Sequence, residues 1–147
     1  MRLDSIFHSL KWMCMCTKTN MDRINIPSGA PWEDQIGYSR AVRIGNTIEV
    51  SGTAPVRDGK TVGENAYEQM KVCLEIIEEA LGKAGATMND VVRTRIFVTD
   101  ISQWVGIGKA HGEVFKNIKP ATSMVEVRSL IDPKMIVEIE ATAVLTK

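Results

Sequence analysis

Residues 136–144 read IVEIEATAV. Val137, Ile139, Ala141 and Ala143 alternate with the glutamates Glu138 and Glu140, the period of two of a strand with one apolar face. Such a face needs a cover. Upstream, Ala66, Met70, Cys73, Leu74, Ile77 and Leu81 recur at the spacing of one helix face. Glu68, Gln69, Lys71, Glu75, Glu78, Glu79 and Lys83 fall mostly off that face, and Gly85 supplies the stop.

The remaining elements follow from the same two periods. Residues 38–44 (YSRAVRI) and 47–53 (TIEVSGT) flank a Gly45-Asn46 turn and predict a hairpin. Asp58-Gly59 centres another turn, and residues 26–37, rich in turn formers, read as a loop. Residues 91–98 (VVRTRIFV) form a strand with Val92, Thr94, Ile96 and Val98 on one face and Arg93, Arg95 and Phe97 on the other. Asp100 or Ser102 can cap a second helix at roughly 102–117, with Trp104, Ile107, His111, Val114 and Phe115 as its apolar stripe. Strands at 121–127 and 136–145 complete the chain. The expected fold class is α+β: one mixed sheet with two helices on one face. The sheet's other face, bearing Arg95 beside Phe97, then needs a partner, and a symmetric homo-oligomer is the simplest cover.

The 147 residues suit one domain with a core of its own, expected over residues 21–147. Lys plus Arg and Asp plus Glu are both 18, so the basic excess of a dedicated nucleic-acid binder is missing. No apolar run approaches the roughly 20 residues of a membrane-spanning helix. Residues 1–20 (MRLDSIFHSLKWMCMCTKTN) are expected to be a disordered extension or an upstream-start artefact, with a weak organelle-targeting signal as the alternative. Cys14 and Cys16 lie there without the second pair that a zinc site needs, and Cys73 reads as a buried, inert thiol. Three cysteines without a secretory signal fit a reducing compartment, so the cytoplasm is the expected location.

Residue chemistry alone leaves the function open. Glu138 and Glu140 point to one face, roughly 6.5–7 Å apart at Cα. They suit a water-ordering carboxylate in a cleft, or ion pairs with Arg93 and Arg95 on a neighbouring strand, and spacing favours the pairs. His111 is expected to be a satisfied, partly buried histidine on the sheet-facing stripe rather than half of an acid–base pair with Glu113, since helical positions two apart do not face each other. No nucleophile elbow, phosphate loop or zinc-ligand pairing is present.

Three segments together carry more. IGYSRAVRIGNTIEVSGTAP (36–55), DVVRTRIFVTDI (90–101) and PATSMVEVRSLIDPKMIVEIEATAV (120–144), with the amphipathic helix between them, resemble the Rid family of reactive intermediate deaminases over about Asn25 to Leu145. The resemblance implies a chorismate-mutase-like α+β domain that assembles as a homotrimer with small-molecule clefts between subunits. It implies hydrolysis of imines and enamines to a ketoacid and ammonia, with no metal or cofactor needed; charge balance and hydropathy make neither nucleic acid nor membrane an expected partner. An endoribonuclease label also occurs in the family, but zero net charge and the lack of a histidine pair argue against that activity here.

Carried over by position, the resemblance makes Glu138 the carboxylate that holds the attacking water. Tyr38, Ser51 and Gly52 become cleft residues. The arginine expected after Pro-Ala, which binds the substrate carboxylate, is Thr122 here, and a cysteine found two residues later in some members is Met124. Arg95 is the native cation considered as its replacement. The expectation is therefore a Rid-type hydrolase acting on something other than ordinary 2-iminoacids. The alternative is a non-catalytic small-molecule binder or protective interaction protein using the same cleft.

Overall fold

A computed structural model describes residues 22–146. The expectations for residues 1–20, including Cys14 and Cys16, lie outside the described residues. The elements run β1 (Arg23–Ile26), α1 (Glu33–Ile36), β2 (Ala41–Ile44), β3 (Thr47–Thr53), β4 (Val56–Arg57), β5 (Lys60–Thr61), α2 (Ala66–Lys83), β6 (Val91–Val98), α3 (Trp104–Phe115), β7 (Ala121–Glu126) and β8 (Val137–Val144). Six strands form one sheet in the order β1-β2-β3-β8-β6-β7, and β4 and β5 make a small separate hairpin around Asp58-Gly59. Among the described residues only β6 and β7 pair in parallel, so the sheet is mixed.

The alternation in β8 forms the centre of this architecture. Val137, Ile139, Ala141 and Ala143 are all buried, and they meet the α2 face of Ala66, Met70, Cys73, Leu74, Ile77 and Leu81, also buried. The Asn65 side chain caps α2 by accepting from the Glu68 amide at 3.0 Å, and Gly85 follows the helix with φ +82°. Asp100 accepts from the Ser102 amide at 2.9 Å, ordering the short 3-10 turn that leads into α3.

Four expectations change in detail. Gln69 is buried rather than off the core face: its amide donates to the Gly63 and Lys134 carbonyls and accepts from the Ile136 amide at 2.8 Å. It thereby anchors the approach to β8, its amide satisfied on both sides as burial requires. A register shift between Val91 and Arg93 turns Val91 inward and leaves Val92 exposed, so the core face is Val91, Thr94, Ile96 and Val98. On α3 the buried stripe is Ile107, Ala110 and Phe115, while Trp104 and Val114 remain exposed in the protomer. Within the stretch 26–37 expected to be loop, α1 forms one helical turn, and the edge strand β1 ends on its first residue, Ile26.

Candidate functional site

Glu138 projects from β8 between the core residues Val137 and Ile139, and its pairing partner on β6 is Phe97. Opposite it on the other side, β3 breaks register between Val50 and Thr53, which places Gly52 against the glutamate. A Cβ at position 52 would collide with Glu138 Oε1, so the bare glycine backbone provides the seat for the carboxylate. The bulge is stitched from both ends. The Ser51 hydroxyl donates to the Ser39 carbonyl at 2.7 Å, and the Thr53 hydroxyl donates to the Ser51 carbonyl at 2.8 Å. Ser51 thus spends its hydroxyl on the loop entering β2.

The seat opens into a cleft of about 790 Å³. Tyr38, Arg40, Gly52 and Glu138 line it together with Trp32, Ile36 and Met135, so the segment expected only as a loop forms one of its walls. The Glu33 carboxylate holds that wall by accepting from the Ser28 and Gly29 amides at 2.7 and 3.1 Å. Burial raises the proton affinity of Glu138 above the ordinary glutamate range; the Glu140 charge adds to this and Arg40 opposes it. The half-buried carboxylate can therefore take up and release a proton closer to neutrality than an exposed one.

Arg40 had not been singled out from the sequence. Its Nη1 donates to the Gly52 carbonyl at 3.1 Å and to Thr53 Oγ1 at 3.0 Å, while its Nε is buried without a partner. The available signal was spacing: Arg40 stands two residues after Tyr38 in the stretch 38–44 read as strand, which would put both on one side, and although the two precede β2 both line the cleft.

The ion pairs expected on the open face form in part. Arg95 meets Glu140 at 3.1 Å directly across the β6–β8 ladder. Arg93 instead reaches Ser123 Oγ at 3.5 Å, and Glu138 makes no ion pair among the described residues. Arg95 is therefore already paired within the protomer and does not line the cleft.

Thr122 lies elsewhere. It pairs with Thr94 across the parallel β6–β7 ladder, so its side chain shares the helix-covered side with the buried Thr94. Thr94 Oγ1 lies 2.9 Å from Thr122 Oγ1 and 3.1 Å from His111 Nε2, and the Thr122 hydroxyl also reaches the Pro120 carbonyl at 3.1 Å. His111 is thus a satisfied, half-buried histidine, and burial lowers its pKa. Met124, two residues on, also lies on the helix side and packs against the core. Within one protomer, Thr122 and Met124 stand on the opposite side of the sheet from Glu138.

No cluster of three or more His, Cys, Asp or Glu side chains among the described residues has the arrangement of a metal site. No described helix is long and apolar enough to cross a membrane.

A two-layer α+β protein with a cleft built around one half-buried glutamate is the class defined by this geometry. The chain belongs to the Endoribonuclease L-PSP family, which it matches over residues 31–145. It is 49% identical to a Mycobacterium tuberculosis protein described as a member of the highly conserved YjgF/YER057c/UK114 family; the match covers 84% of this chain and 100% of that one, with a TM-score of 0.79. A Yersinia pestis member of the Rid protein family, of unknown function, is 30% identical, with a TM-score of 0.74 over 84% of this chain and all of that one. Among sequence relatives, a RutC family protein of Pyrococcus abyssi is 37% identical over 109 residues, 72% of this chain and 84% of that protein. The mitochondrial protein mmf1 of Schizosaccharomyces pombe is 31% identical over 116 residues, 79% of this chain and 68% of that protein.

Proposed function

We propose that the protein is a Rid-type small-molecule hydrolase that converts a C=N bond, in an imine or the imine tautomer of an enamine, to a carbonyl and ammonia. The observation that carries this reading is Glu138: a half-buried carboxylate of raised proton affinity, seated on the Gly52 backbone in an open cleft. As water attacks the imine carbon, Glu138 takes one of its protons and passes it to the nitrogen, giving a carbinolamine; the hydroxyl proton then reaches the nitrogen through the same carboxylate as the C–N bond breaks, leaving the carbonyl and ammonia. Tyr38, Ser51 and Gly52 shape this half of the site. Thr122 and Met124 complete it from a neighbouring copy in a homotrimer, since one protomer keeps them on the far side of the sheet from Glu138. No cofactor enters this scheme, and the cytoplasm is the proposed location.

Thr122 directs the substrate away from ordinary 2-iminoacids. A threonine offers one neutral donor where a guanidinium offers two charge-assisted bonds, a loss of about 2–4 kcal/mol in a desolvated site. The same substitution favours the second reading, a non-catalytic binder of small molecules, because the Thr122 hydroxyl is already engaged by Thr94 and Pro120.

A panel of imines including 2-iminobutanoate, assayed with the unmodified protein, Glu138→Gln and Thr122→Arg, separates the two. Glu138→Gln should lower turnover of the preferred imine by about 10²- to 10⁴-fold. It should also raise thermal stability at neutral pH. A carboxyl whose folded pKa is raised stabilises the fold only while protonated, and that contribution fades as pH rises through its folded pKa. 2-Iminobutanoate should be a poor substrate, improved by Thr122→Arg. Absence of hydrolysis across the panel would replace the hydrolase with the binder, whereas undiminished turnover in Glu138→Gln would take the chemistry away from Glu138.

A further inference from the structure

We propose that Arg40 is the anion receptor of the cleft, and that the cleft takes small carboxylates with an apolar body. The inference rests on the reading above only in taking this cleft as the ligand site. Three cations line the cleft: Arg40, Arg57 and Lys83. Arg57 forks onto Glu79 at 3.0 and 2.8 Å and lies 3.7 Å from Glu75, so its charge is answered within the protein. Lys83 is exposed in the last turn of α2, near the same Glu79. Arg40 differs from both. Among the described residues no carboxylate lies within 4.0 Å of its guanidinium.

The bonds that Arg40 does make fix it without neutralising it. The Gly52 carbonyl and the Thr53 hydroxyl are neutral acceptors, and both engage a single nitrogen, Nη1. Nη2 donates to no described group, and Nε is buried with none. A half-buried guanidinium without a counter-charge is an expensive arrangement unless something supplies one. The acids whose charges reach it, Glu33 and Glu138, act only at a distance: Glu33 is committed to the Ser28 and Gly29 amides, and Glu138 lies across the cleft beyond ion-pair range. A ligand carboxylate fits that vacancy in charge and in the planar geometry a guanidinium recognises. Trp32, Ile36 and Met135 offer its body apolar walls.

Arg40 enters from the segment before β2, whereas position 122 is on the edge strand β7 at the far end of the sheet. A ligand gripped by Arg40 is therefore held from a different side than one gripped at position 122, which fits a substrate other than an ordinary 2-iminoacid. The resulting assignment gives Arg40 to binding and Glu138 to chemistry.

Benzoate and its neutral counterpart benzamide test the assignment by calorimetric titration of the full chain. Benzoate should bind about tenfold or more tightly than benzamide, Arg40→Gln should abolish the preference, and Arg40→Lys should retain only part of it. Glu138→Gln should bind benzoate at least as tightly as the unmodified protein, so loss of hydrolysis and loss of anion binding remain separate results. Because Arg40 also supports the β3 bulge, a second measurement uses the unmodified protein. Phenylglyoxal labelling followed by peptide mapping should show benzoate slowing modification of Arg40 while leaving Arg95 unaffected. Equal affinity for benzoate and benzamide, a preference that survives in Arg40→Gln, or labelling of Arg40 indifferent to benzoate would overturn the proposal.

Discussion

Glu138 and Thr122 occupy two strands of one sheet and have opposite surroundings. Glu138 sits near the middle, on β8, where a glycine and a register shift leave space for its carboxylate and burial raises its proton affinity. Thr122 sits on the edge strand, facing the helices, with its hydroxyl tied through Thr94 to a histidine. The first is a polar group whose hydrogen-bonding capacity is left open; the second has its own largely consumed. A polar group that the fold leaves free, at an energetic disadvantage, is the better candidate for chemistry. The contrast also separates the two halves of the proposed site within a single protomer.

The sharpest way to break this contrast is to fill the seat. Gly52→Ala places a methyl group where Glu138 Oε1 rests. The carboxylate can swing away, so the fold should lose less than about 1 kcal/mol, and alanine in a strand partly compensates. Activity should fall about 100-fold, as a displacement near 1 Å produces. Parallel kinetics and thermal melts check this, and a melting temperature that falls together with activity would make Gly52 a folding residue instead.

On the Thr122 side the effects should appear in stability. Thr94→Val removes the hydroxyl between His111 and Thr122 and takes a hydrogen-bond partner from the ring of a half-buried histidine, at a cost of about 0.5–1.5 kcal/mol. Chemical denaturation measures it, and an unchanged midpoint would mean the hydroxyl chain carries no energy.

Acid should act through the same group. The folded pKa of His111 is lowered below 6.5 by burial alone, so the unfolded chain binds the extra proton first. The contribution is intact above 6.5 and is lost as pH falls through the folded value, with a slope of up to about 1.4 kcal/mol per pH unit. Melts in the Glu138→Gln background, free of that carboxyl's opposite trend, should show this decline between neutral and acid pH, and adding His111→Phe should lessen it.

The smallest effect belongs to the open face. Arg95 and Glu140 are both substantially exposed, so a double-mutant cycle with Arg95→Met and Glu140→Gln should give a coupling of about 0.2–1 kcal/mol. Strict additivity would show that the pair seen across β6 and β8 is not maintained in solution.

Legibility in the sequence followed the strength of each local pattern. The alternation of β8 and the α2 stripe are long, regular signals, and both form the core. Val91-Val92 offers two equivalent apolar residues to one inward position, so the register shift is invisible until β8 is paired beside it. Gln69 reads as a surface residue because nothing local announces the Lys134 and Ile136 backbone groups, distant in sequence, that bury it. Glu138 was legible as an outward carboxylate, but its seat depends on a contact between β3 and β8. Arg40 was hidden for the same reason: its uncompensated charge is a property of its surroundings, not of its neighbours in sequence.

In the proposed homotrimer, two halves of the site that one protomer holds apart meet between copies. Light scattering at micromolar concentration tests this most directly, beside the 16.3 kDa mass of one chain. A stable mass three times that of the single chain is the expected result. A stable monomer would contradict the account, because Glu138 and Thr122 would then have no means of meeting in one cleft.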